Sequence, residues 1–466
     1  MNHDTLFSGI NAKFELNFRP YWKFVLILIP MLIAGNIASP LVAVNCLVVA
    51  VWGVTSFERS LKALLLISLL MQACPFGSTP PILLIFRFIY PLVVLCHAFL
   101  FTQKNKIDLP SDAKRIFILF TIFFIYAIVV LFFRDNGMIG IMKLVQFSYI
   151  VLTLYYSFLI IPTPFEHWTR WLSSIWIAVL LASTIFPQVS EAGTFRGVLD
   201  YPQLFGPFCI VGLAILWTHF LKSNSVLETC FFILSAVLCL AAGARTAFAG
   251  FFLIQLTLLI WLLLKSIFLK NKPVVFSVKR EVISKYFFVV LALIVIITVN
   301  KDALYTYSVQ KIMKYDDGHS SVSLDDGLKS REGQIEGFKD SIMTYPFLGV
   351  GFGLPFHGVD IGYIQYFPNT SIPISATVES GVIVLAAIAQ LGIIGTFLFC
   401  AFLFQLLKPV FGFSNNVEYI ILGTAFIFTN FGEATLFSPT VLAGMSTWFC
   451  LCLCATNIQR KRSKTF

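Results

Sequence analysis

Three arginines stand in short polar segments between long apolar runs, where a charged side chain is costly. Arg196 lies in the segment 193–197, Arg245 in the segment 243–246, and Arg331 opens a predicted helix in the longest hydrophilic stretch. A guanidinium keeps its charge and offers a planar fork of donors that suits phosphate oxygens. Ionisable groups at membrane depth usually face a cavity and a partner. Together the three arginines therefore favour an anionic site of the kind that a lipid-linked diphosphate would occupy.

Other cations lie near the same predicted face of the membrane. Arg87 falls inside the fourth apolar run, and Arg134 and Lys143 flank the short turn after the fifth. Taken singly, each such cation is better explained by pairing with a nearby carboxylate or by snorkelling to the interface. Arg331 also has glutamates close by in the sequence, although Ser330 before it is a good N-cap that would turn backbone donors toward an anion. We include Arg87 in the predicted anion site.

The composition indicates that these cations are positioned by membrane-spanning helices. The chain has 466 residues, of which 58% are hydrophobic and 12% charged, with a mean hydropathy of +0.86. Soluble domains carry about 25% charged residues. A water-soluble enzyme, a disordered chain and a secreted disulfide scaffold are thereby excluded, and the continuous apolar runs argue against an outer-membrane barrel. The sequence predicts an all-α polytopic integral membrane protein.

About fourteen runs are long enough to be transmembrane helices, given that a bilayer needs about 20 apolar residues per helix. Residues 1–299 hold eleven spans, 300–379 form one large periplasmic loop containing short helices, and 380–466 hold the last three spans and a basic tail. Within the loop a helix is predicted over 330–345, ended by Pro346. The predicted spans are 22–37, 41–57, 63–74, 82–101, 116–133, 139–160, 171–186, 204–220, 227–242, 247–264, 286–299, 381–407, 417–431 and 439–454.

The net charge of +10 mainly indicates how the chain is oriented in the membrane. Lysines and arginines collect in cytoplasmic loops, and under this count those in the short connections fall on one side, apart from the outer-face cations named above, so both termini are predicted to be cytoplasmic. No long basic stretch is interleaved with aromatic residues in a solvated segment, so nucleic acid is not an expected partner. The ten cysteines show no metal-ligand spacing. The expected surroundings are the lipid bilayer.

Three segments resemble the superfamily of bacterial O-antigen polymerases and O-antigen ligases, which are polytopic membrane glycosyltransferases. The segment 195–203 is similar to an arginine-and-glycine stretch that precedes a span in that family. The segment 242–247 looks like the turn that opens the next span. The third begins at 330–332, continues through Tyr-Pro-Phe-Leu-Gly-Val-Gly-Phe-Gly at 345–353, and ends in a Leu-Gly-rich stretch at 391–395.

The resemblance implies a fold of the GT-C type and a reaction at the periplasmic face of the bacterial inner membrane. Members of the superfamily transfer a glycan from undecaprenyl diphosphate to an acceptor hydroxyl, without a metal or other cofactor. The implied partners are the undecaprenyl-diphosphate-linked oligosaccharide and a polysaccharide chain-length regulator. The family's diphosphate-binding arginines correspond to Arg196, Arg245 and Arg331, and Arg331 is implied to act in catalysis.

One departure from the family pattern favours a polymerase over a ligase. Ligases carry a histidine shortly before the span that follows the large loop, whereas the segment 376–381 has none. Glu379 is then the candidate that accepts a proton from, or orients, the acceptor hydroxyl. It is equally well explained as a carboxylate at the N-terminus of span twelve. His357 and Tyr363 are candidates for glycan contact, although an ordinary hydrogen bond and a small loop core explain them as simply.

Two other functions stay open at this point. An O-antigen ligase would transfer the glycan to lipid A–core, and a flippase would move a lipid-linked oligosaccharide and grip the same diphosphate. The single long loop and the lack of two-half symmetry argue against a transporter, since transporters commonly contain repeats.

Overall fold

The chain is almost wholly helical in a computed structural model. The structure describes residues 21–74, 81–107, 109–189, 195–200, 202–222, 226–242, 245–268, 332–355, 364–366, 370–371, 373–376, 383–412, 417–432 and 435–463. One short hairpin is the exception to helix within these ranges. Its two strands are antiparallel and pair Ile364 with Ala376 and Gln365 with Ser375. The predicted all-α polytopic class is confirmed.

Helices follow one another closely along the described chain. Those before the long loop are α1 (Trp22–Ile37), α2 (Ser39–Val54), α3 (Phe57–Gln72), α4 (Pro81–Asn105), α5 (Ser111–Phe132), α6 (Gly137–Ile160), α7 (Phe165–Ile185), α8 (Pro202–Lys222), α9 (Val226–Ala241) and α10 (Arg245–Phe268). Within the long loop are helix α11 (Glu332–Thr344) and strands β1 (Ile364–Tyr366) and β2 (Pro373–Ala376). The helices after the loop are α12 (Ile383–Leu407), α13 (Val417–Gly432) and α14 (Leu442–Ser463).

Each predicted span that the structure describes corresponds to one helix, although α3 and α7 begin six residues earlier than predicted and α14 ends nine residues later. The predicted span 286–299 lies outside the described residues. The predicted loop helix over 330–345 is confirmed as α11, which ends at Thr344 before Pro346. Among the described helices, five are long and apolar enough to cross a bilayer, while others are apolar but shorter. These five are Phe86–Asn105, Ser111–Phe132, Gly137–Ile160, Phe165–Ile185 and Val384–Leu407.

The bundle has two ends, which we name by the segments they carry. The loop side carries α11 and the hairpin, and the tail side carries the C-terminal end of α14. On the loop side, Asn36 at the end of α1 donates a hydrogen bond to the carbonyl of Val198 over 2.7 Å. On the tail side, the Tyr21 hydroxyl lies 2.9 Å from Nδ1 of His167 at the start of α7. Contacts between residues far apart in the chain therefore tie the helices together at both ends.

Two buried features hold the loop side in place. Helix α3 is buried on every side from Ser60 to Gln72, as expected for a helix surrounded by others. Phe147 of α6 lies in a cluster of aromatic rings at offset or edge geometries, which add to the stabilisation from burial. Its ring partners are Phe120, Phe123, Phe352, Phe399, Phe437 and Trp448.

Candidate functional site

The structure places only part of the predicted site. The side chains of Arg87 and Arg196 are described, and Arg245 is the first residue of α10, although its side chain lies outside the described part. The remaining predicted site residues lie outside the described residues and stay predictions. They are Arg331, His357, Tyr363 and Glu379.

Helix α12 is broken in its first half, and another part of the chain fills the break. Gly392 has φ 65° and ψ −179°, a conformation that is essentially restricted to glycine. Residues 345–353, which we call the glycine segment, pack into the gap. The amide of Ile393 donates to the carbonyl of Pro346 over 2.9 Å. The second half of α12 thus begins on a carbonyl of this segment.

The hydrogen bonds continue along the first half of the broken helix. Val350 donates its amide to the carbonyl of Ala389, and Gly351 to that of Gln390, each over 2.9 Å. The side-chain oxygen of Gln390 accepts from the amide of Gly353 at 3.0 Å. Non-helical backbone at membrane depth must have its polar groups satisfied within the protein. The break meets this requirement through the glycine segment.

Tyr126 of α5 completes the junction and was not predicted from the sequence. Its hydroxyl donates toward the carbonyl of Leu391 at 3.0 Å and lies 3.3 Å from that of Phe347. A Cβ on Gly395 would lie 2.4 Å from the Tyr126 ring, so this glycine lets the ring approach. The family-like stretches 345–353 and 391–395 therefore meet each other, and a tyrosine from a distant helix holds them together.

Arg134 and Lys143 lie against the glycine segment. Nη2 of Arg134 donates to the carbonyl of Gly349 over 2.7 Å, and its guanidinium lies 3.9 Å from the centre of the Tyr345 ring. The side chain of Lys143 lies beside Gly353, because a Cβ on Gly353 would be 2.8 Å from Cδ of Lys143. Arg134 is thus paired as expected, but with a carbonyl and a ring rather than a carboxylate.

Arg196 is buried, with 6% of its surface exposed, and donates to its own chain. Its Nη1 lies 2.9 Å from the carbonyl of Leu199, 3.3 Å from that of Asp200 and 3.4 Å from that of Cys74. Its Nη2 lies 3.3 Å from the side-chain oxygen of Gln188. The guanidinium therefore fastens the connection between α7 and α8 to the end of α3.

Arg87 has different surroundings. It lines a cavity of about 20 Å³, which is room for about one water molecule. Within the part of the chain that the structure describes, the buried Nε of Arg87 has no hydrogen-bond partner, and the hydroxyl of Tyr90, one turn further along α4, is in the same condition. None of the described residues that line the cavity is acidic. Arg87 is thus a cation whose Nε is hydrogen-bonded to none of the described residues and whose described cavity lining is uncharged apart from Arg87 itself.

Arg87 and Arg196 both flank the loop end of α3. Met71 lines the Arg87 cavity, and Cys74, three residues further on, accepts from Arg196. Strand β2 of the long loop contacts α4 and α6, the helices that carry Arg87 and Lys143. The loop side of α3, α4 and α6 therefore gathers cations beneath a described part of the loop.

A separate polar cluster lies on the tail side. One carboxylate oxygen of Glu58 accepts from Nε2 of His167 at 2.9 Å and from Nζ of Lys62 at 2.5 Å, and the other accepts from the Thr163 hydroxyl at 3.1 Å. The hydrogen bond from His167, helped by that from Lys62, outweighs burial and lowers the pKa of Glu58 to about 2. This cluster joins α3 to α7, far from the cations of the loop side.

These features define a multi-pass helical membrane protein with buried cations and a broken span beside its long loop. Residues 230–400 match the family model described as O-antigen ligase. The match confirms the resemblance to the superfamily of O-antigen polymerases and ligases. It includes Arg245, Arg331 and the glycine segment, whereas Arg87 and the segment 195–203 lie outside it. No curated protein matches the chain.

Proposed function

We propose that the chain is a glycosyltransferase of the O-antigen polymerase type. It joins undecaprenyl-diphosphate-linked oligosaccharide repeat units, with the diphosphate as leaving group and without a metal. The observation that carries the proposal is the family match over residues 230–400, which contains Arg245, Arg331 and Glu379. The buried cations on the loop side support it independently of the match.

In the proposed reaction the bond between the anomeric carbon and the diphosphate oxygen breaks. An acceptor hydroxyl forms the new bond to that carbon and gives its proton to a base. Negative charge grows on the departing diphosphate, so fixed cations stabilise the transition state more than the bound substrate. Direct attack needs no covalent nucleophile and inverts the anomeric centre.

Arg87 is the described cation best suited to this role. Its Nε has no partner among the described residues, and those that line its cavity supply no negative charge. A phosphate oxygen at this position would satisfy a donor that is otherwise buried without a partner, which is a costly state. The cavity itself holds no more than a water, so the phosphate would lie at its mouth.

Arg196 contributes to the proposed site chiefly as a fixed charge. Its Nη1 lies within hydrogen-bond distance of three carbonyls, so the side chain holds the loop end of α3 in position. The positive charge of Arg196 acts on the diphosphate over a longer distance. Arg245 and Arg331 are proposed to bind the diphosphate directly. Arg331 also stabilises the charge that develops during transfer.

The acceptor side of the proposed reaction is assigned to the long loop. Glu379 accepts the proton of the acceptor hydroxyl, and His357 and Tyr363 contact the glycan. In the proposed topology all fourteen spans cross the bacterial inner membrane, both termini are cytoplasmic, and the loop side faces the periplasm. A chain-length regulator is the proposed protein partner.

An O-antigen ligase is the second candidate, because the matching family model carries that description. The test uses the purified chain in proteoliposomes with undecaprenyl-diphosphate-linked repeat units, with and without lipid A–core. A ladder of longer glycans in the absence of lipid A–core supports the polymerase. Transfer that occurs only onto lipid A–core supports the ligase. Movement of the labelled lipid across the bilayer without elongation would refute both and indicate a flippase.

Variants test the proposed cation site. Arg87→Ala should abolish elongation while the amount of folded protein stays at the wild-type level. Arg196→Ala should also reduce the yield of folded protein, since three carbonyls lose their donor. The matched control is Arg59→Ala, because Arg59 is an exposed cation on the tail side and its removal should leave activity unchanged. Wild-type ladders from the Arg87 variant would remove this residue from the site.

The same assay tests the residues carried by the family match. Arg245→Ala and Arg331→Ala should each abolish elongation and leave the chain in the membrane. Glu379→Gln should do the same if the carboxylate is the base. Full activity of the glutamine variant would leave Glu379 with the role of a helix-terminal carboxylate.

A further inference from the structure

The turn that follows α11 has an apolar surface in a part of the chain that is otherwise polar. Along α11, Lys339 and Asp340 are exposed, while the opposite face packs through the fully buried Phe338 against α12. At the end of the helix the exposed residues become apolar: Met343 is 84% exposed and Phe347 is 64% exposed. Such a surface needs a covering, because soluble proteins rarely present large apolar patches to water.

The depth of the turn follows from the two helices that hold it. Pro346 bonds to Ile393, which lies about ten residues into α12, and Phe347 contacts Tyr126, which lies about six residues before the end of α5. At about 1.5 Å per residue these positions lie roughly 9–15 Å below the loop-side ends of the two helices. Both α5 and α12 are apolar enough to span a bilayer. The turn therefore lies below the level where these spans begin.

Most carbonyls of the turn have donors within the protein, which a lipid-embedded backbone requires. The carbonyl of Pro346 accepts from Ile393, and that of Phe347 accepts from Ile394 at 3.3 Å. The carbonyl of Leu348 lies 3.4 Å from the Tyr126 hydroxyl. The carbonyl of Gly349 accepts from Nη2 of Arg134. Three of these four successive carbonyls thus have donors of their own, two of them supplied by α12, and the Leu348 carbonyl lies near a hydroxyl that donates more closely to Leu391.

The apolar surface is also continuous with a lipid-facing surface. Ile393, the partner of Pro346, is an exposed apolar residue, and Phe397, one turn further along α12, is 72% exposed. Phe132 and Phe133 at the end of α5 are exposed as well. The surface around the turn therefore continues the outward surfaces of two spans.

From depth, bonded carbonyls and continuity we infer that the exposed apolar side chains of Met343, Phe347 and Leu348 are embedded in the acyl chains of the loop-side leaflet. We call these residues the elbow. The occupant of its apolar surface is the lipid bilayer. The elbow thereby fixes the C-terminal end of α11 at the membrane surface. The glycine segment, which overlaps the elbow, is fixed in the break of α12. This inference is independent of the proposed reaction.

Site-directed spin labelling in proteoliposomes tests the inference. The background variant replaces the exposed thiols with alanine, at Cys96, Cys230 and Cys400. Single cysteines are then introduced by Phe347→Cys and Met343→Cys. The label at each position is measured for its accessibility to oxygen, which concentrates in acyl chains, and to a water-soluble nickel chelate.

The two control positions bracket the expected result. Phe397→Cys is the lipid control on α12, and Asp340→Cys is the water control on the exposed face of α11. The inference expects elbow labels that are accessible to oxygen and protected from nickel, as at the lipid control. Nickel accessibility equal to that at Asp340 would overturn it. Protection from both reagents, or failure to label at both elbow positions, would mean that protein covers the surface and would also overturn it.

Discussion

The break in α12 gives a sharp test of how the loop side is built. Gly392 has a φ of 65°, where a side chain strains the backbone. A Cβ on this residue would lie 2.3 Å from the carbonyl oxygen of Phe347 and 2.5 Å from the amide nitrogen of Gly349. Both contacts are with backbone, which cannot turn aside as the end of a side chain can. Gly392→Ala should therefore displace the glycine segment or straighten α12.

The cost can be worked out from these contacts. A residue forced into this backbone region costs about 1–3 kcal/mol. Displacing the glycine segment weakens several hydrogen bonds, each contributing about 1 kcal/mol. The expected loss of stability is on the order of 4 kcal/mol. For a chain of 466 residues that unfolds as one unit, this corresponds to a fall of about 4 °C in the melting temperature.

The assay is thermal unfolding in detergent, followed by the loss of the monodisperse peak in size-exclusion chromatography. The matched control is Gly250→Ala in α10, where a Cβ would meet the flexible end of the Ile210 side chain at 2.9 Å. Alanine is favoured over glycine in a helix by about 1 kcal/mol, so this variant should stay within about 1 °C of the wild type. Equal melting temperatures for the two variants would refute the account of the break.

Two further predictions concern polar contacts at opposite ends of the bundle. Because the pKa of Glu58 is lowered from 4.5 to about 2, its contribution to stability is present above pH 4.5 and is lost as the pH falls from 4.5 to 2. The melting temperature should decline over that window, and Glu58→Gln should make the decline smaller. Identical pH profiles would show that the ionisation of Glu58 adds nothing to stability. Arg134→Lys keeps the charge but loses the fork that reaches Gly349 and the flat contact with Tyr345, so it should cost about 1–2 kcal/mol in the same thermal assay. Unchanged stability would mean that charge alone matters there.

The positions of the helices could be predicted because apolar runs and their stop signals are local. The loop helix ends at Thr344, two residues before Pro346, and this proline was a stop signal visible in the sequence. Helix α3 was predicted to begin at residue 63, but it begins at Phe57. Ser56 caps it by accepting from the amide of Arg59. The prediction started too late because it followed hydropathy, and the first turns of this helix are charged.

The interactions that shape the site could not be predicted because they join distant parts of the chain. Arg134 and the carbonyl it bonds are 215 residues apart in the sequence. Gly392 lies within a run whose hydropathy predicts an unbroken span, since hydropathy does not report backbone conformation. Arg196 carries the same charge whether its donors face a ligand or carbonyls of its own chain. The arrangement of these donors emerges only when α3 and the connection after α7 come together.

The same contacts bear on what the family resemblance means for function. The glycine segment and the stretch around Gly392 resemble the family most clearly, yet in this chain they bond to each other and to Tyr126. Their similarity is accounted for by packing. A Cβ on Gly349 or Gly392 would collide with backbone, and one on Gly395 would collide with the ring of Tyr126. At the two other glycines of the segment it would meet side-chain atoms and the backbone also has a positive φ. A motif of this kind argues for a shared architecture more strongly than for a shared reaction. The chemistry is therefore better inferred from cations that packing does not require. Arg87 is one of them, because its buried Nε has no acceptor among the described residues and none of the described residues that line its cavity is acidic.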